Sequence, residues 1–201
     1  MPTKLWYVWS DAKERFVRAK RSPQDARLAE ALEEQLRIRL AGARDRRKLC
    51  EFHQAAFETE PEIWLPGEAD LRKVHKGLNQ WKPAEYPNDF VIVAELDGKI
   101  VGLLLLVMYY RFDNGCPSAW IENLFVLKDF RGYRIATRLV EFAKELAEHR
   151  GCKALGLIVG LRNLAALRFY EKCGFKINKH VGLASRDLKV VHKRQLDSEL
   201  P

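Results

Sequence analysis

The chain has 201 residues, 47% apolar and 31% charged, about one domain or one domain with an appendage, which excludes collagen-like, low-complexity and largely disordered classes. Its longest apolar run, Ile100 to Tyr110, is eleven residues, against the roughly 20 that a helix needs to cross a bilayer, and the N-terminus lacks the basic-then-apolar pattern of a secretory signal. The net charge of +8 divides as +6 over residues 1–50, −5 over 51–100, +1 over 101–150 and +6 over the rest, an acidic block between basic regions rather than the uniform coat of a nucleic-acid binder.

Met1 to Arg21 is basic and aromatic (Trp6, Tyr7, Trp9, Phe16) with no clear period. Ser22-Pro23-Gln24-Asp25 then has the capping serine and first-turn proline of a helix start, predicting a helix to about Gln35. Leu36 to Leu40 alternates with period two and reads as a strand. Leu49, Phe52, His53 and Ala56 fit one face of a helix from about Arg44 to Phe57. Residues 58–89 hold four prolines and most of the acidic block, and read as loops around a short helix near Leu71–Leu78.

Phe90 to Leu96 reads as a strand, with Asp97-Gly98 turning a hairpin into Ile100–Tyr110. Trp120 to Val126 gives another strand. Ile135, Leu139, Phe142, Ala143, Leu146 and Ala147 trace a helix face closed by Gly151. Lys153–Val159 reads as a further, buried strand, and Asn163–Cys173 as a second helix. The order predicts a mixed α/β domain over 36–201, preceded by a basic, partly helical extension over 1–35. Cys50, Cys116, Cys152 and Cys173 stand no closer than 21 residues apart, so no CxxC pair exists and the four read as reduced thiols in a cytoplasmic protein. The five histidines show no ligand spacing, and no metal is expected.

Two segments carry chemistry. Val126 to Ala136 (V-L-K-D-F-R-G-Y-R-I-A) is a strand end, a short basic loop and the first turn of a long helix. Exposed N–H groups at such a helix start attract anions, helped by Arg131 and Arg134. Alone, the segment fits a plain strand–helix connection better than an anion site, and it is neither of the glycine-rich nucleotide loops. The second segment, Asn163 to Phe175, reads N-L-A-A-L-R-F-Y-E-K-C-G-F and matches the pattern N-x-x-A-x-x-F/L-Y-x-x-x-G-F.

In this order, with a strand between them, the two segments resemble motifs of the GNAT superfamily of acetyl-CoA-dependent N-acetyltransferases, over about residues 36–185. A third, Trp120 to Val126 with Glu122 before the apolar strand end, is similar to the diamine (spermidine/spermine-type) branch. The resemblance implies a mixed, mostly antiparallel twisted sheet flanked by helices, with acetyl-CoA in a cleft where strands splay. It implies that the backbone of Leu124, Phe125 and Val126 holds the pantetheine arm, that Gly132, Tyr133, Arg134, Ile135, Ala136 and Thr137 form the pyrophosphate cradle, and that Arg131 also binds the cofactor. Asn163 and Tyr170 also touch the cofactor. Direct transfer to a primary amine needs a proton acceptor and a proton donor at the leaving sulfur. The resemblance gives these roles to Glu122 and Tyr170, although Glu122 fits a contact to a cationic substrate nearly as well. Glu60 falls close to an acidic substrate contact of that branch, within the acidic stretch Glu58, Glu60, Glu62, Glu68 and Asp70. One departure stands out, since Arg134 occupies the position of the family's inner glycine.

The expected acceptor is a cationic small molecule, such as a polyamine or an amino acid derivative. A protein N-terminus or lysine, or a non-catalytic acyl-CoA-binding module, are the alternatives. A homodimer is expected by analogy, and neither membrane nor nucleic acid is an expected partner.

Overall fold

The computed structural model describes residues 32, 34–60, 70–113, 115–160 and 163–176. Most of the 1–35 extension and the acids Glu62 and Glu68 lie outside that range. So does the start of the predicted first helix, of which Leu32, Glu34 and Gln35 are helical.

Among the described residues, five strands form one sheet in the order β1 (Arg37–Leu40), β2 (Asp89–Leu96), β3 (Lys99–Arg111), β4 (Cys116–Val126) and β5 (Ala154–Leu157). The first four pair antiparallel, and β4 pairs parallel with β5. The β2–β3 hairpin turns on Asp97 and Gly98, both at positive φ (49° and 75°), the geometry that a two-residue turn between right-twisted strands requires.

Helices cover both faces. On one, α1 (Arg46–Thr59) lays Leu49, Phe52 and Ala56 against Val93, Ile100, Leu103 and Phe125. Helix α2 (Leu71–Gln80) is capped by Asp70, whose carboxylate accepts the Arg72 N–H at 3.0 Å. It packs on α1, where the His75 ring meets the Cys50 carbonyl at 3.2 Å. On the other face, α3 (Ile135–His149) buries Ile135, Leu139, Val140, Ala143 and Ala147 against Ile92, Leu104 and Leu106. The last helix, α4 (Leu164–Lys172), follows β5. No helix among the described residues is long and apolar enough to cross a membrane.

Every strand and helix expected within the described residues forms, with most ends shifted by a residue or two and β4 starting at Cys116, four residues before the expected Trp120. Helix α2 runs two residues longer than expected. Strand β5 stops at Leu157, and it is not a buried strand: Ala154 is exposed and the other three residues are half-buried. Its register with β4 runs only from Ser118↔Ala154 to Ile121↔Leu157. Past that point the two strands part, so Ile158–Gly160 have no ladder to join among the described residues.

Candidate active site

The parting begins at a bulge. Along β3, Leu105 faces Asn123 and Leu106 faces Ile121, leaving Glu122 as the extra residue on β4. An extra residue bends its strand and resets the alternation. Ile121, Leu124 and Val126 therefore all belong to the α3-side core, while Phe125 turns to the α1 side. The bend opens a cavity of about 270 Å³. One wall is Ile121–Val126, the other Leu157–Gly160, and α4 closes it with Asn163, Ala166, Phe169 and Tyr170. Arg131 and Ala136 stand at its α3 end.

Glu122 and Tyr170 thus line one cleft. Burial pushes the Glu122 carboxyl above its ordinary pKa, with the Asp89 charge adding to the effect. Burial also raises the Tyr170 phenol, with a smaller contribution from Cys173. Its ring is held edge-on between Phe169 and Phe175, at centroid distances of 5.0 and 5.5 Å. The phenol therefore keeps its proton at neutral pH, the state required of an acid.

Asn163 is 5% exposed, and its side chain caps α4 by accepting the Ala166 N–H at 3.0 Å. At the start of α3 the first intrahelical bond runs from the Arg138 N–H to the Arg134 carbonyl, so the amides of Ile135, Ala136 and Thr137 have no intrahelical acceptor. Gly132 and Arg134 both hold left-handed backbone, φ 84° and 61°. The Arg134 side chain is exposed and makes no hydrogen bond or ion pair among the described residues.

Glu60 is not among the residues that line the cleft. The residue is 6% exposed at the end of α1, with its carboxylate against the Arg131 guanidinium. The other two described acids of that stretch are engaged elsewhere: exposed Glu58 accepts from Gln54, and Asp70 caps α2. His53 faces the core as its helix position predicts, and burial lowers its pKa to about 4. Two residues gain a place that sequence reasoning did not give them. Asn123 lines the cleft beside Glu122 with its Oδ1 buried and without a hydrogen-bond partner among the described residues; a polar pair interrupting an apolar strand was the available signal. Asp89 at the start of β2 carries a carboxyl raised by burial and is the charge that Glu122 feels.

This fold and cleft define an acyl-transfer scaffold, and the chain belongs to the acetyltransferase (GNAT) family, whose model matches residues 47–175. An uncharacterised N-acetyltransferase of Methanocaldococcus jannaschii is 34% identical over 99 residues, 44% of this chain and 39% of that protein. The aminoalkylphosphonate N-acetyltransferase of Salmonella typhimurium is 30% identical over 134 residues, 64% of this chain and 86% of that one. A probable spermine N(1)-acetyltransferase of Bacillus subtilis subsp. natto is 27% identical over 85 residues, 41% and 56% of the two chains. Among solved structures, an aminoglycoside acetyltransferase from an uncultured soil metagenomic sample, in complex with sisomicin, superposes with a TM-score of 0.62 at 23% identity, covering 79% of this chain and 99% of that one. The aminoglycoside N-acetyltransferase AAC(6')-Iy, in complex with CoA, does so at 0.58 and 18%, covering 76% and 95%. The matches take in 39% and 56% of the lengths of the first two curated relatives.

Proposed function

We propose that this chain is an N-acetyltransferase that moves an acetyl group from acetyl-CoA directly to a primary amine of a small, cationic molecule. One observation carries the reading: Glu122 and Tyr170 stand in the same cleft, opened where β4 and β5 part and bounded by the start of α3. The residues fit the donor. The β4 edge from Leu124 to Val126 has no strand partner on the cleft side among the described residues, and would hold the pantetheine arm. The amides from Gly132 to Thr137 would hold the pyrophosphate. When bound, acetyl-CoA supplies an acetyl group already activated as a thioester.

The chain's own groups then meet the remaining demands. An alkylamine has a pKa of about 10.4 and arrives protonated. Glu122 takes up a proton at its carboxylate, directly or through a water, and the same charge attracts the ammonium. Asn123 offers its buried Oδ1 to an N–H of the acceptor, a contact that relieves an otherwise unpaired polar atom. Tyr170 holds the proton for the leaving sulfur at Oη.

Support for a small amine acceptor comes from the substrates named for the Salmonella, Bacillus and metagenomic proteins. The diamine branch rests on the Glu122 segment and the Bacillus relative, while the homodimer and the cytoplasmic location rest on the family resemblance alone. The test is thiol release from acetyl-CoA with a panel of polyamines, aminoalkylphosphonates, aminoglycosides and amino acids. Turnover with a cationic small amine is expected. Turnover with peptide N-termini or lysines alone would move the acceptor to proteins, and CoA binding without any turnover would make the chain a binding module. Within the active reaction, Tyr170→Phe is expected to lower kcat by roughly 10- to 1000-fold with CoA affinity little changed; an unchanged kcat under rate-limiting chemistry would remove Tyr170 from the mechanism.

A further inference from the structure

Glu60 ends helix α1. Its backbone N–H donates to the Ala56 carbonyl at 3.1 Å, and its side chain is turned inward, so that the residue is 6% exposed. Both carboxylate oxygens go to one partner 71 residues away: Arg131 Nη1 donates to Oε1 at 2.8 Å, and Nη2 donates to Oε2. The same guanidinium donates through Nε to the Val126 carbonyl at 3.0 Å. It also lies over the Phe125 ring, 5.4 Å from the centroid, and Phe125 meets Phe52 of α1 edge-on at 5.9 Å. The end of α1, the end of β4 and the loop into α3 are thereby closed into one ring of contacts.

We propose that Glu60 is a positioning residue for the donor half of the cleft: it fixes Arg131, and through Arg131 the loop whose amides from Gly132 to Thr137 meet the phosphates of CoA. The inference rests on the acetyl-CoA reading above, and it replaces the expectation that Glu60 touches the acceptor amine. Arg131 lines the cleft and Glu60 does not. A guanidinium has five N–H donors. Three are committed to Glu60 and Val126, and the arginine side chain remains 41% exposed, so the remaining donors are open to an anion. A carboxylate buried as deeply as that of Glu60 is costly to leave without its cation. Arg131 therefore keeps Glu60 and meets a phosphate with its orientation already set, and a two-point fork holds a planar group more strictly than a single contact would.

The experiment uses the full chain with Glu60→Gln and Glu60→Asp. Calorimetry reads CoA affinity. Kinetics reads KM for acetyl-CoA, for S-acetylpantetheine, which lacks the phosphates, and for whichever amine of the panel turns over. Glu60→Gln is expected to weaken CoA binding and raise KM for acetyl-CoA by about tenfold, with KM for S-acetylpantetheine and for the amine unchanged. Glu60→Asp should recover part of the loss. A rise confined to the amine KM would return Glu60 to the acceptor side and overturn the proposal. So would unchanged or tighter CoA binding, the latter meaning that Glu60 withholds Arg131 from the anion. Should Glu60→Gln fail to fold, Arg131→Lys keeps the charge without the fork and must show the same split between CoA and S-acetylpantetheine, or the proposal falls. A parent protein that binds no CoA sinks the acetyl-CoA reading and this inference together, and that failure is visible before any variant is made.

Discussion

Replacing Arg134 with glycine should make the protein more stable and a poorer binder of CoA. Arg134 sits at the N-cap of α3 with φ 61° and ψ 14°, where a side chain brings Cβ against the backbone at a cost of about 1–2 kcal/mol. Glycine carries no such cost but widens the unfolded ensemble, a loss of about 0.4–1 kcal/mol. The exposed guanidinium makes no hydrogen bond or ion pair among the described residues, so its removal forfeits little in the free protein. The net gain then lies between about 0 and 1.6 kcal/mol, or up to roughly 6 °C in Tm for a chain of this size. Binding should move the other way. If the guanidinium reaches a phosphate of CoA, the lost charge-assisted contact is worth about 1.5–3 kcal/mol, roughly ten- to hundredfold in Kd. Arg134→Ala separates the two effects, since alanine keeps the left-handed strain while losing the charge: its Tm should match the parent and its CoA affinity should fall. Thermal melts and calorimetry on the three proteins decide. A glycine variant that melts below the parent would refute the strain argument, and CoA affinity unchanged in both variants would show that Arg134 only faces solvent.

Two further outcomes follow from packing and charge. A Cβ on Gly156 would stand 2.8 and 2.9 Å from ring atoms of Trp120, its partner across the β4–β5 pair, so Gly156→Ala should cost about 1–3 kcal/mol, read as a lower Tm; an unchanged melt would mean that the indole moves aside freely. Arg39 holds both Asp45 oxygens and Glu95, and these bonds lower both carboxyl pKa values, with Lys48 the first cause for Glu95. Carboxyls depressed in the fold add stability above their unfolded pKa of about 4 and lose it as pH falls through the folded values, so Tm should drop on acidification below about pH 4, and less steeply in Arg39→Met. Equal slopes in the two proteins would remove the cluster from the acid response.

The elements were readable because each has a local cause within a few residues. Leu49, Phe52 and Ala56 repeat with the helix, and Asp97-Gly98 can hold the positive φ of its turn. The Asn163–Phe175 motif was legible for the same reason: one short helix presents a cap at its start and a phenol at the end of its second turn. What was hidden depends on distance in the chain. Nothing near Glu60 announces Arg131, and an acid in an acidic block reads as a ligand for cations until the fold supplies the guanidinium that occupies it. Strand β5 reads as buried because Leu155, Leu157, Ile158 and Val159 are apolar, yet it is the edge strand of the described sheet, and β4 bends away at Glu122 before Ile158 and Val159 can pair with it. The gap of three between Ile121 and Leu124 was the one local trace of that bend, and a period-two reading passes over it.

The bulge at Glu122 also has a consequence for how this chain can vary. Position 122 carries a carboxyl and, separately, a count: one residue more on β4 than β3 requires. Glu122→Gln alters the first and leaves the second intact. Deleting the residue does the reverse damage, because shortening the strand by one would slide Asn123 into its place and let β4 run on with regular alternation beside β5, closing the space between them. A single-codon deletion there is therefore a different event from any substitution, removing the room for a reaction rather than a participant in it. Insertions and losses at this point of the strand should be far rarer among functional descendants of the sequence than changes of residue type.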